Sequence, residues 1–361
     1  MKKFWRQFQQ SSFYVKWTNW EYYPVYIANI PTLFFWFYFG IRSRSLFFFS
    51  AVNPVIETGG VLGESKMNIF NRLPIDTIPK TILISKEENE VDKILEKVNL
   101  AGIVFPLIAK PDIGERGFLV EKLTNKNDLV NYLNKITVDF IIQDFISYPL
   151  EVSVLYHRFP DASEGKITSV CIKRNLAVIG DGVSNIEKLM DEYPRARFQL
   201  ERFQEDHPDL LLKVPSLGEH IELEPIGNHC RGTTFLNGNK HIDKKLEKVF
   251  DKIALEMEGI HYGRFDMKCE SIELLKEAKE FKILEFNGIA SEPAHIYDPA
   301  YSTLQAYRDI FSHWKIIYEL SKVQRTKGVS SMSWNEAYQS CLLYTSPSPR
   351  DATLSRMPSS A

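Results

Sequence analysis

The chain has 361 residues and a nearly balanced charge, with 44 Lys and Arg against 46 Asp and Glu. That length is enough for a full hydrophobic core and roughly two domains or lobes. The balance gives no overall field that attracts nucleic acid, so we predict no nucleic-acid partner. The four cysteines lie far apart without a metal-ligand or redox spacing, which indicates a reducing cytoplasmic location without disulfides.

The first 50 residues form an aromatic arm that differs in composition from the rest of the chain. Its uncharged run from Tyr22 to Ile41 approaches the ~20 residues that a membrane-spanning helix needs, but Pro24 and Pro31 lie inside it. Basic residues flank the run at Lys2, Lys3, Arg6, Lys16, Arg42 and Arg44. Aromatic rings and cations both favour the headgroup layer, which indicates an arm that lies on, or re-enters, the inner face of the membrane. An arm that packs on the protein's own body, or on the second subunit of a homodimer, is an equal alternative.

Beyond the arm, short strand-like runs alternate with amphipathic helices, the pattern of a mixed α/β (α+β) protein. Strands are predicted at Leu107 to Lys110, Phe118 to Lys122, Phe140 to Gln143, Glu151 to Tyr156, Ile167 to Lys173, Arg264 to Cys269 and Phe281 to Phe286. One helical face is formed by Val91, Ile94, Leu95 and Val98. A second is formed by Leu246, Val249, Phe250, Ile253 and Met257, with Asp243 placed to cap the helix.

Two late strands carry polar residues in alternation with apolar ones. Arg264, Asp266 and Lys268 project from one face of the first strand. Glu285 and Asn287 project from one face of the second, and the short connection permits antiparallel pairing. Pairing would gather Asp266, Glu285 and Asn287 into an oxygen-rich cluster that suits Mg²⁺, with Mn²⁺ as an alternative. Two amphipathic strands with a solvated polar face explain the same residues without a metal.

An earlier strand ends in a lysine and a glycine-bearing loop. Lys110 closes an apolar run, and Gly114 and Gly117 lie in the loop after it. Backbone N–H groups of such a loop can surround phosphate oxygens, and a lysine ammonium can reach the same phosphates. A plain hairpin turn without a nucleotide is the alternative.

A further extended stretch offers a place for a purine and its ribose. Gln143, Phe145 and Ile146 can lay a backbone edge and apolar side chains against a base. Glu151 is placed to accept hydrogen bonds from ribose hydroxyls. Taken alone, Glu151 is equally well interpreted as a solvated strand residue.

The C-terminal run from Cys341 to Ala361 is rich in Ser, Pro and Arg and has no apolar period. It closely resembles the translation of a sequencing-library adapter, and we exclude it from the fold. An ordinary disordered tail is the alternative and leads to the same exclusion.

In their order along the chain, from about Ser65 to Pro299, these motifs resemble the ATP-grasp superfamily. The resemblance is strongest to its D-alanine–D-alanine ligase and cyanophycin-synthetase-type amino-acid ligase branches. The resemblance implies a reduced segment over 51–79 and two α+β lobes that grip ATP between them. The implied small lobe covers 80–146, and the implied large lobe covers 147–325 and holds the metal. Two further stretches, Gly180 to Leu189 and Asn228 to Thr233, are similar to loops of the amino-acid ligases.

The resemblance also implies roles for single residues. The implied nucleotide-binding set is Lys66, Lys110, Gly114, Gly117, Gln143, Phe145, Ile146 and Glu151. The implied metal ligands are Asp266, Glu285 and Asn287. Arg264 and Arg231, together with Lys110, are the implied catalytic residues, because arginine steadies the tetrahedral intermediate in these ligases. Many ligases of this group have a glutamate at the position of Gln143.

The implied reaction joins a small-molecule carboxylate to an amine through an acyl phosphate, with release of ADP and phosphate from ATP. Unlike D-alanine–D-alanine ligases, the chain has no complete α/β domain before Lys66, which puts a standard D-alanine site in doubt. Asn53-Pro54 and Thr58 to Gly60 are either a reduced substitute for that domain or a linker. The alternative functions are an ATP-grasp phosphotransferase and a catalytically silent, membrane-tethered ATP-binding protein.

Overall fold

The computed structural model of the protein describes residues 28–114, 118–224, 227 and 232–345. Helices and antiparallel sheets alternate along these residues, which confirms the predicted mixed α/β (α+β) class. The helices are α1 (Ile30–Ser43), α2 (Lys66–Phe70), α3 (Val91–Leu100), α4 (Lys126–Leu133), α5 (Ile186–Glu192), α6 (Pro194–Arg197), α7 (Leu200–Asp206), α8 (Pro208–Leu211), α9 (Lys244–Glu256), α10 (Ile272–Lys276), α11 (Thr303–Thr326) and α12 (Trp334–Thr345). The strands are β1 (Thr81–Ile84), β2 (Leu107–Pro111), β3 (Glu121–Leu123), β4 (Phe140–Asp144), β5 (Leu150–His157), β6 (Lys166–Arg174), β7 (Ala177–Ile179), β8 (His220–Glu222), β9 (Thr234–Asn237), β10 (Tyr262–Cys269) and β11 (Phe281–Asn287).

The first sheet has the order β1-β4-β2-β3, and all of its neighbouring strands are antiparallel. Helices α3 and α4 pack on it, because Ile94 and Tyr132 share a buried core with Phe140 of β4. The strand predicted over Phe118 to Lys122 starts later, at Glu121. Leu119 has a φ of 49°, a left-handed conformation that an extended strand does not contain, and this turn delays the strand.

The second sheet has the order β11-β10-β5-β6-β9, again with antiparallel neighbours. Helix α9 packs its predicted apolar face, including Phe250 and Ile253, into the core of this sheet. Asp243 caps α9 by accepting from the backbone N–H groups of Lys245 at 3.0 Å and Leu246 at 2.9 Å. The predicted face and cap of this helix are therefore confirmed.

The predicted antiparallel pairing of the two late strands, β10 and β11, is also confirmed. Asp266 lies opposite Glu285, and Arg264 lies opposite Asn287. The register shifts directly after Asp266. Such irregularities re-aim side chains locally, and this one lies within the predicted oxygen-rich cluster.

A smaller unit between β6 and β9 contains the two-stranded sheet of β7 and β8 and the short helices α5 to α8. It includes the stretch from Gly180 to Leu189. A Cβ on Gly180 would lie 2.2 Å from the carbonyl oxygen of Ser216, so the chain passes too closely there for any side chain. Asp181 accepts from two backbone N–H groups that follow it, at 2.9 and 2.6 Å, and Asn185 caps α5. The stretch thus builds a tight turn and the start of a helix.

The C-terminal half of the aromatic arm forms α1, which packs along α11. Phe39 stacks on Tyr318 with ring centroids 5.2 Å apart, and the indole N–H of Trp36 donates to the carbonyl of Leu46 at 2.7 Å. Pro31 lies in the first turn of α1, where proline is tolerated, so it begins the helix rather than interrupting it. Among the described residues, no helix combines the length and the apolar character that crossing a membrane requires.

The two ends of the chain lie partly outside the described residues, which omit 1–27 and 346–361. The excluded C-terminal run begins at Cys341, yet its first five residues continue α12. Large apolar residues recur every four positions at Trp334, Tyr338 and Leu342, so the helical period continues past Cys341, where the excluded run begins. The resemblance of the run to a translated adapter stays a prediction.

Candidate functional site

A cleft of about 600 Å³ is lined by residues of both larger sheets and of the segment before α2. Every predicted site residue that the structure describes lines it, namely Lys66, Lys110, Gly114, Gln143, Phe145, Ile146, Glu151, Arg264, Asp266, Glu285 and Asn287. Gly117 and Arg231 lie outside the described residues. Residues predicted from six separate stretches of sequence therefore converge on one cavity.

Asp266 stands among the charged groups of the cleft. The Arg264 guanidinium donates to both of its carboxylate oxygens, from Nε at 2.9 Å and from Nη2 at 3.1 Å. The Lys173 ammonium lies 3.6 Å from the same carboxylate, and the Asn287 amide donates to it at 3.4 Å. Burial alone would raise the pKa of Asp266, but Arg264 and Lys173 hold it well below its usual range. Asp266 is therefore a carboxylate at neutral pH.

Lys173 is a site residue that the sequence analysis missed. Strand β6 carries it into the cleft with 7% of its side chain exposed, and its ammonium lies 2.9 Å from the carboxylate of Glu151. Burial alone would lower the pKa of Lys173, but the carboxylates of Asp266 and Glu151 raise it above its usual value. A signal was present in the sequence, because a lysine near the end of an apolar strand is the pattern that identified Lys110.

The ion pair with Lys173 bears on the prediction for Glu151. The sequence predicts a carboxylate that is free to accept from ribose hydroxyls, whereas in the structure Lys173 engages it. Gly227 packs so closely on Glu151 that a Cβ there would lie 2.2 Å from Oε1. A ribose-binding role for Glu151 stays a prediction, and it requires that the carboxylate be shared with Lys173.

Lys110 extends from β2 to the opposite sheet. Its ammonium donates to the backbone carbonyl of Leu284 on β11 at 2.8 Å. Burial lowers the pKa of Lys110 to about 8, against the raising effect of the Glu285 carboxylate. No carboxylate of the described part of the chain lies within ion-pair distance of this ammonium. A phosphate beside Lys110 would supply the countercharge and keep the amine protonated.

Lys66 begins α2 and anchors the glycine-bearing loop. Its ammonium donates to the carbonyls of Gly114 at 2.8 Å and Asp112 at 3.3 Å, and it lies 3.9 Å from Glu285 Oε1. The Asp112 carboxylate in turn accepts from the backbone N–H of Met67 at 2.8 Å. Lys66 thus fixes the base of the loop beside the oxygen-rich cluster.

The predicted base-binding residues differ in what they present to the cleft. The Gln143 side chain is only 2% exposed, and its Nε2 donates to Thr81 Oγ1 at 2.9 Å, so it braces β4 against β1. Two cations lie near the Phe145 ring, with the ammonium of Lys122 3.9 Å and that of Lys268 5.6 Å from its centroid. A stacked base would need a part of the Phe145 ring that these ammonium groups do not cover, so base binding at Phe145 stays a prediction.

The predicted oxygen donors lie on paired positions of β10 and β11. Asp266 and Glu285 are opposite each other in the register, and Asn287 lies two residues beyond Glu285. Within the described ranges, no three His, Cys, Asp or Glu side chains are grouped so that they could hold a metal ion by themselves. Two carboxylates and an amide still supply hard oxygen donors, and Mg²⁺ commonly takes few protein ligands besides water and phosphate. The donor chemistry fits Mg²⁺.

The segment before α2 closes one side of the cleft. The side chain of the fully buried Asn53 donates to the carbonyl of Tyr262 at 2.8 Å and accepts from its backbone N–H at 3.1 Å. A Cβ on Gly60 would lie 2.6 Å from the Cα of Gly288, so two backbones meet there. These contacts fix residues 61–64, which line the cleft, against β10 and the loop after β11.

The sum of these groups defines what the cleft can hold. The cleft is lined by three lysines and an arginine together with the oxygen donors of β10 and β11. The four cationic residues are Lys66, Lys110, Lys173 and Arg264. Ammonium and guanidinium groups bind phosphate oxygens, and hard oxygen donors bind a divalent cation that accompanies phosphates. The cleft can therefore hold a polyphosphate together with a divalent cation.

Comparison with known proteins gives structural similarities only. No family model matches the sequence, and no curated protein gives a significant match. The VanG D-Ala:D-Ser ligase from Enterococcus faecalis is similar with 12% identity and a TM-score of 0.42, over 73% of this chain and 63% of that one. A D-alanine–D-alanine ligase from Bacillus anthracis has 16% identity and a TM-score of 0.44, over 76% of this chain and 71% of that one. A bifunctional glutathione synthetase from Pasteurella multocida has 14% identity and a TM-score of 0.40, over 70% of this chain and 36% of that one.

The chain spans less than two thirds of the VanG ligase and about a third of the glutathione synthetase. Since the TM-scores lie below 0.5, we base the function on the residues of the cleft.

Proposed function

We propose that the chain is an ATP-dependent carboxylate–amine ligase that works through an acyl phosphate and releases ADP and phosphate. The observation that carries the proposal is the convergence of Lys110, Lys173 and Arg264 with the oxygen donors Asp266 and Glu285 in one cleft. Phosphoryl transfer demands positioning and neutralisation of crowded negative charge, and these groups supply both.

In the first step, a substrate carboxylate oxygen attacks the γ-phosphorus of ATP, and the bond from that phosphorus to the β-phosphate oxygen breaks to release ADP. Lys110 and Lys173 hold phosphate oxygens, and the backbone of the Gly114 loop covers them. Mg²⁺ bound at Asp266, Glu285 and Asn287 would neutralise part of the phosphate charge. Closure of the loop would keep water from the acyl phosphate.

In the second step, the amine attacks the carbonyl carbon of the acyl phosphate. Negative charge develops on the carbonyl oxygen, and Arg264, with Arg231, stabilises it. The C–O bond to phosphate then breaks, and one N–H proton passes to the departing phosphate. The pairing of Arg264 with Asp266 supports this role, because it holds the guanidinium in a fixed orientation.

The test is ADP release by the purified chain with Mg²⁺, or Mn²⁺, and a panel of amino acids, dipeptides and amines, with mass spectrometry of the products. The proposal expects ADP formation that needs one carboxylate and one amine, together with an amide of their summed mass less water. A phosphorylated product without amide would identify a phosphotransferase instead. Binding of ATP without turnover across the panel would favour a catalytically silent ATP-binding protein.

We also propose that α1 holds the chain on the inner, cytoplasmic face of an anionic membrane. Six apolar residues at helical spacing, Ile30, Leu33, Phe34, Phe37, Tyr38 and Ile41, form an exposed stripe on α1. Arg42 and Arg44 are exposed at its C-terminal end, and four more basic residues precede it in the sequence. An apolar stripe bordered by cations suits the boundary between acyl chains and anionic headgroups.

Vesicle flotation tests this attachment, with phosphatidylcholine vesicles that contain or lack phosphatidylglycerol. The protein should float with the anionic vesicles, and a Phe34→Ser, Phe37→Ser double variant should not. Leu100→Ser, at an exposed position of α3, is the matched control. A wild-type protein that stays in the dense fraction overturns the proposal, as does a dimer in sedimentation velocity that the double variant dissociates, since the stripe would then pair two copies.

A further inference from the structure

A second cavity, here called the side pocket, lies between α1 and α11 and has a volume of about 400 Å³. Its walls are largely apolar, and the aromatic side chains of Trp36, Phe49 and Trp314 contribute to them together with Ile310 and Ile317. The volume lies in the range of about 300–1,000 Å³ that small-molecule pockets occupy. It is therefore large enough for a bulky apolar group.

The side pocket adjoins the cleft. Val61, Ala290 and Ser291 line both cavities. The loop that carries Ala290 and Ser291 follows Asn287 directly, and Nη1 of Arg264 donates to the carbonyl of Glu292 in that loop at 3.4 Å. The side pocket therefore lies next to the part of the cleft that contains Arg264.

The ionisable groups of the side pocket are already engaged, whereas the hydroxyl oxygen of Thr32 is buried without a hydrogen-bond partner in the described part of the chain. The His313 ring bonds through Nδ1 with the Tyr262 hydroxyl at 3.0 Å, and burial lowers its pKa to about 3, so it is neutral. The Glu292 carboxylate accepts a hydrogen bond from the Tyr297 hydroxyl. Of the ionisable side chains among the described lining residues, none is a cation that would hold a charged ligand there. The pocket thus suits an uncharged group.

We infer that the side pocket receives a bulky apolar group, aromatic or branched aliphatic, of one of the two ligase substrates. The inference rests on the proposed function, because it assigns the reacting carboxylate and amine to the cleft and the apolar group to the adjoining cavity. It also gives α1 a role in the site, since Thr32 and Trp36 of this helix line the pocket. Selectivity for the apolar group then comes from α1, α11 and the loop after β11.

Turnover with matched substrates provides the first test. Substrates that carry a phenylalanine or leucine side chain should exceed their alanine counterparts in kcat/KM by on the order of tenfold or more. Thr32→Phe, in the α1 wall, should remove most of that preference and leave the KM for ATP unchanged, because Thr32 does not line the cleft. Ala290→Phe, in the wall that both cavities share, should also remove the preference. Leu100→Phe, at an exposed position of α3, is the control.

Binding of an uncharged aromatic probe, 4-fluorobenzyl alcohol, followed by ligand-observed ¹⁹F NMR, provides a second test that needs no turnover. Broadening of the probe signal by the wild type and the control, but not by either filled variant, supports the side pocket even if no substrate pair gives an amide. Amide formation without an apolar preference and without probe binding overturns the inference while the ligase function stands. If the wild type shows neither turnover nor probe binding, both the ligase function and the side-pocket inference are overturned.

Discussion

The charged side chains of the cleft depend on one another. Asp266 is held ionised by Arg264 and Lys173, and Lys173 in turn pairs with Glu151. Removing one member leaves the others buried with an unbalanced charge, which costs more than the loss of one hydrogen bond. The sequence could identify Asp266 and Arg264 because they alternate within one strand. Lys173 carries the same signal as Lys110, a lysine near the end of an apolar strand. Its carboxylate partners lie on other strands of the sheet, so the pattern alone did not show that it enters the cleft.

Asp266→Asn should lower ADP formation by about 100-fold, because it removes a predicted metal ligand and the counterion of Arg264. Steady-state ADP formation over a Mg²⁺ titration measures the effect, with circular dichroism to establish that the variant is folded. Glu285→Gln, which alters a more exposed carboxylate, should raise the Mg²⁺ requirement with less effect on the fold. Asp161→Asn, at an exposed surface pair, is the control. Full activity in Asp266→Asn would refute the assigned site.

The lowered pKa of Lys110 predicts how ATP binding depends on pH. The free amine has a pKa of about 8, and a bound phosphate raises it, so binding takes up a proton above pH 8. The Kd of Mg·ATP should therefore be flat below that pH and rise above it by up to about tenfold per pH unit. Isothermal titration calorimetry across this range measures the slope. Lys110→Arg, which keeps its charge, should remove the rise; a rise of equal slope in that variant would exclude Lys110 as its source.

At the scale of elements, those with a local sequence pattern could be predicted, and those that depend on contacts between distant residues could not. The strands β2, β4, β5, β6, β10 and β11 were predicted nearly to their ends, because apolar runs and alternation are local signals. The short strands β1, β7, β8 and β9 were not, since three or four residues carry too little pattern and their pairing partners are distant in sequence. The segment over 51–64 gave only turn signals. Its role in the cleft wall depends on contacts of Asn53 with β10, more than 200 residues away.

Asn53→Ala tests whether that segment is built into the fold. The substitution removes four hydrogen bonds to buried or partly buried backbone groups, so it should lower the free energy of unfolding by roughly 2–4 kcal/mol. Urea unfolding followed by circular dichroism provides the measurement. Asn99→Ala, at an exposed helical position of α3, should change stability little. Equal stability of the two variants would mean that residues 51–64 contribute no structural support.

At the scale of the whole molecule, the cleft exists because two antiparallel sheets from different parts of the chain contribute to one cavity. The class of fold was predictable from alternating strands and helices, and the composition of the cleft was predictable from the motifs in order. The position of α1 was not, because an apolar aromatic helix fits a membrane surface and a protein surface equally well. In the structure one face of α1 packs on α11, and the opposite face is exposed.

An isotope-transfer experiment tests the central claim, formation of an acyl phosphate, most directly. The carboxylate substrate identified by the ADP-release panel is labelled with ¹⁸O in both oxygens and incubated with Mg·ATP, the amine and the protein. The released phosphate is then analysed by mass spectrometry. The proposed route transfers one ¹⁸O from the carboxylate to phosphate and leaves the other in the amide. Unlabelled phosphate, or AMP in place of ADP, would contradict it.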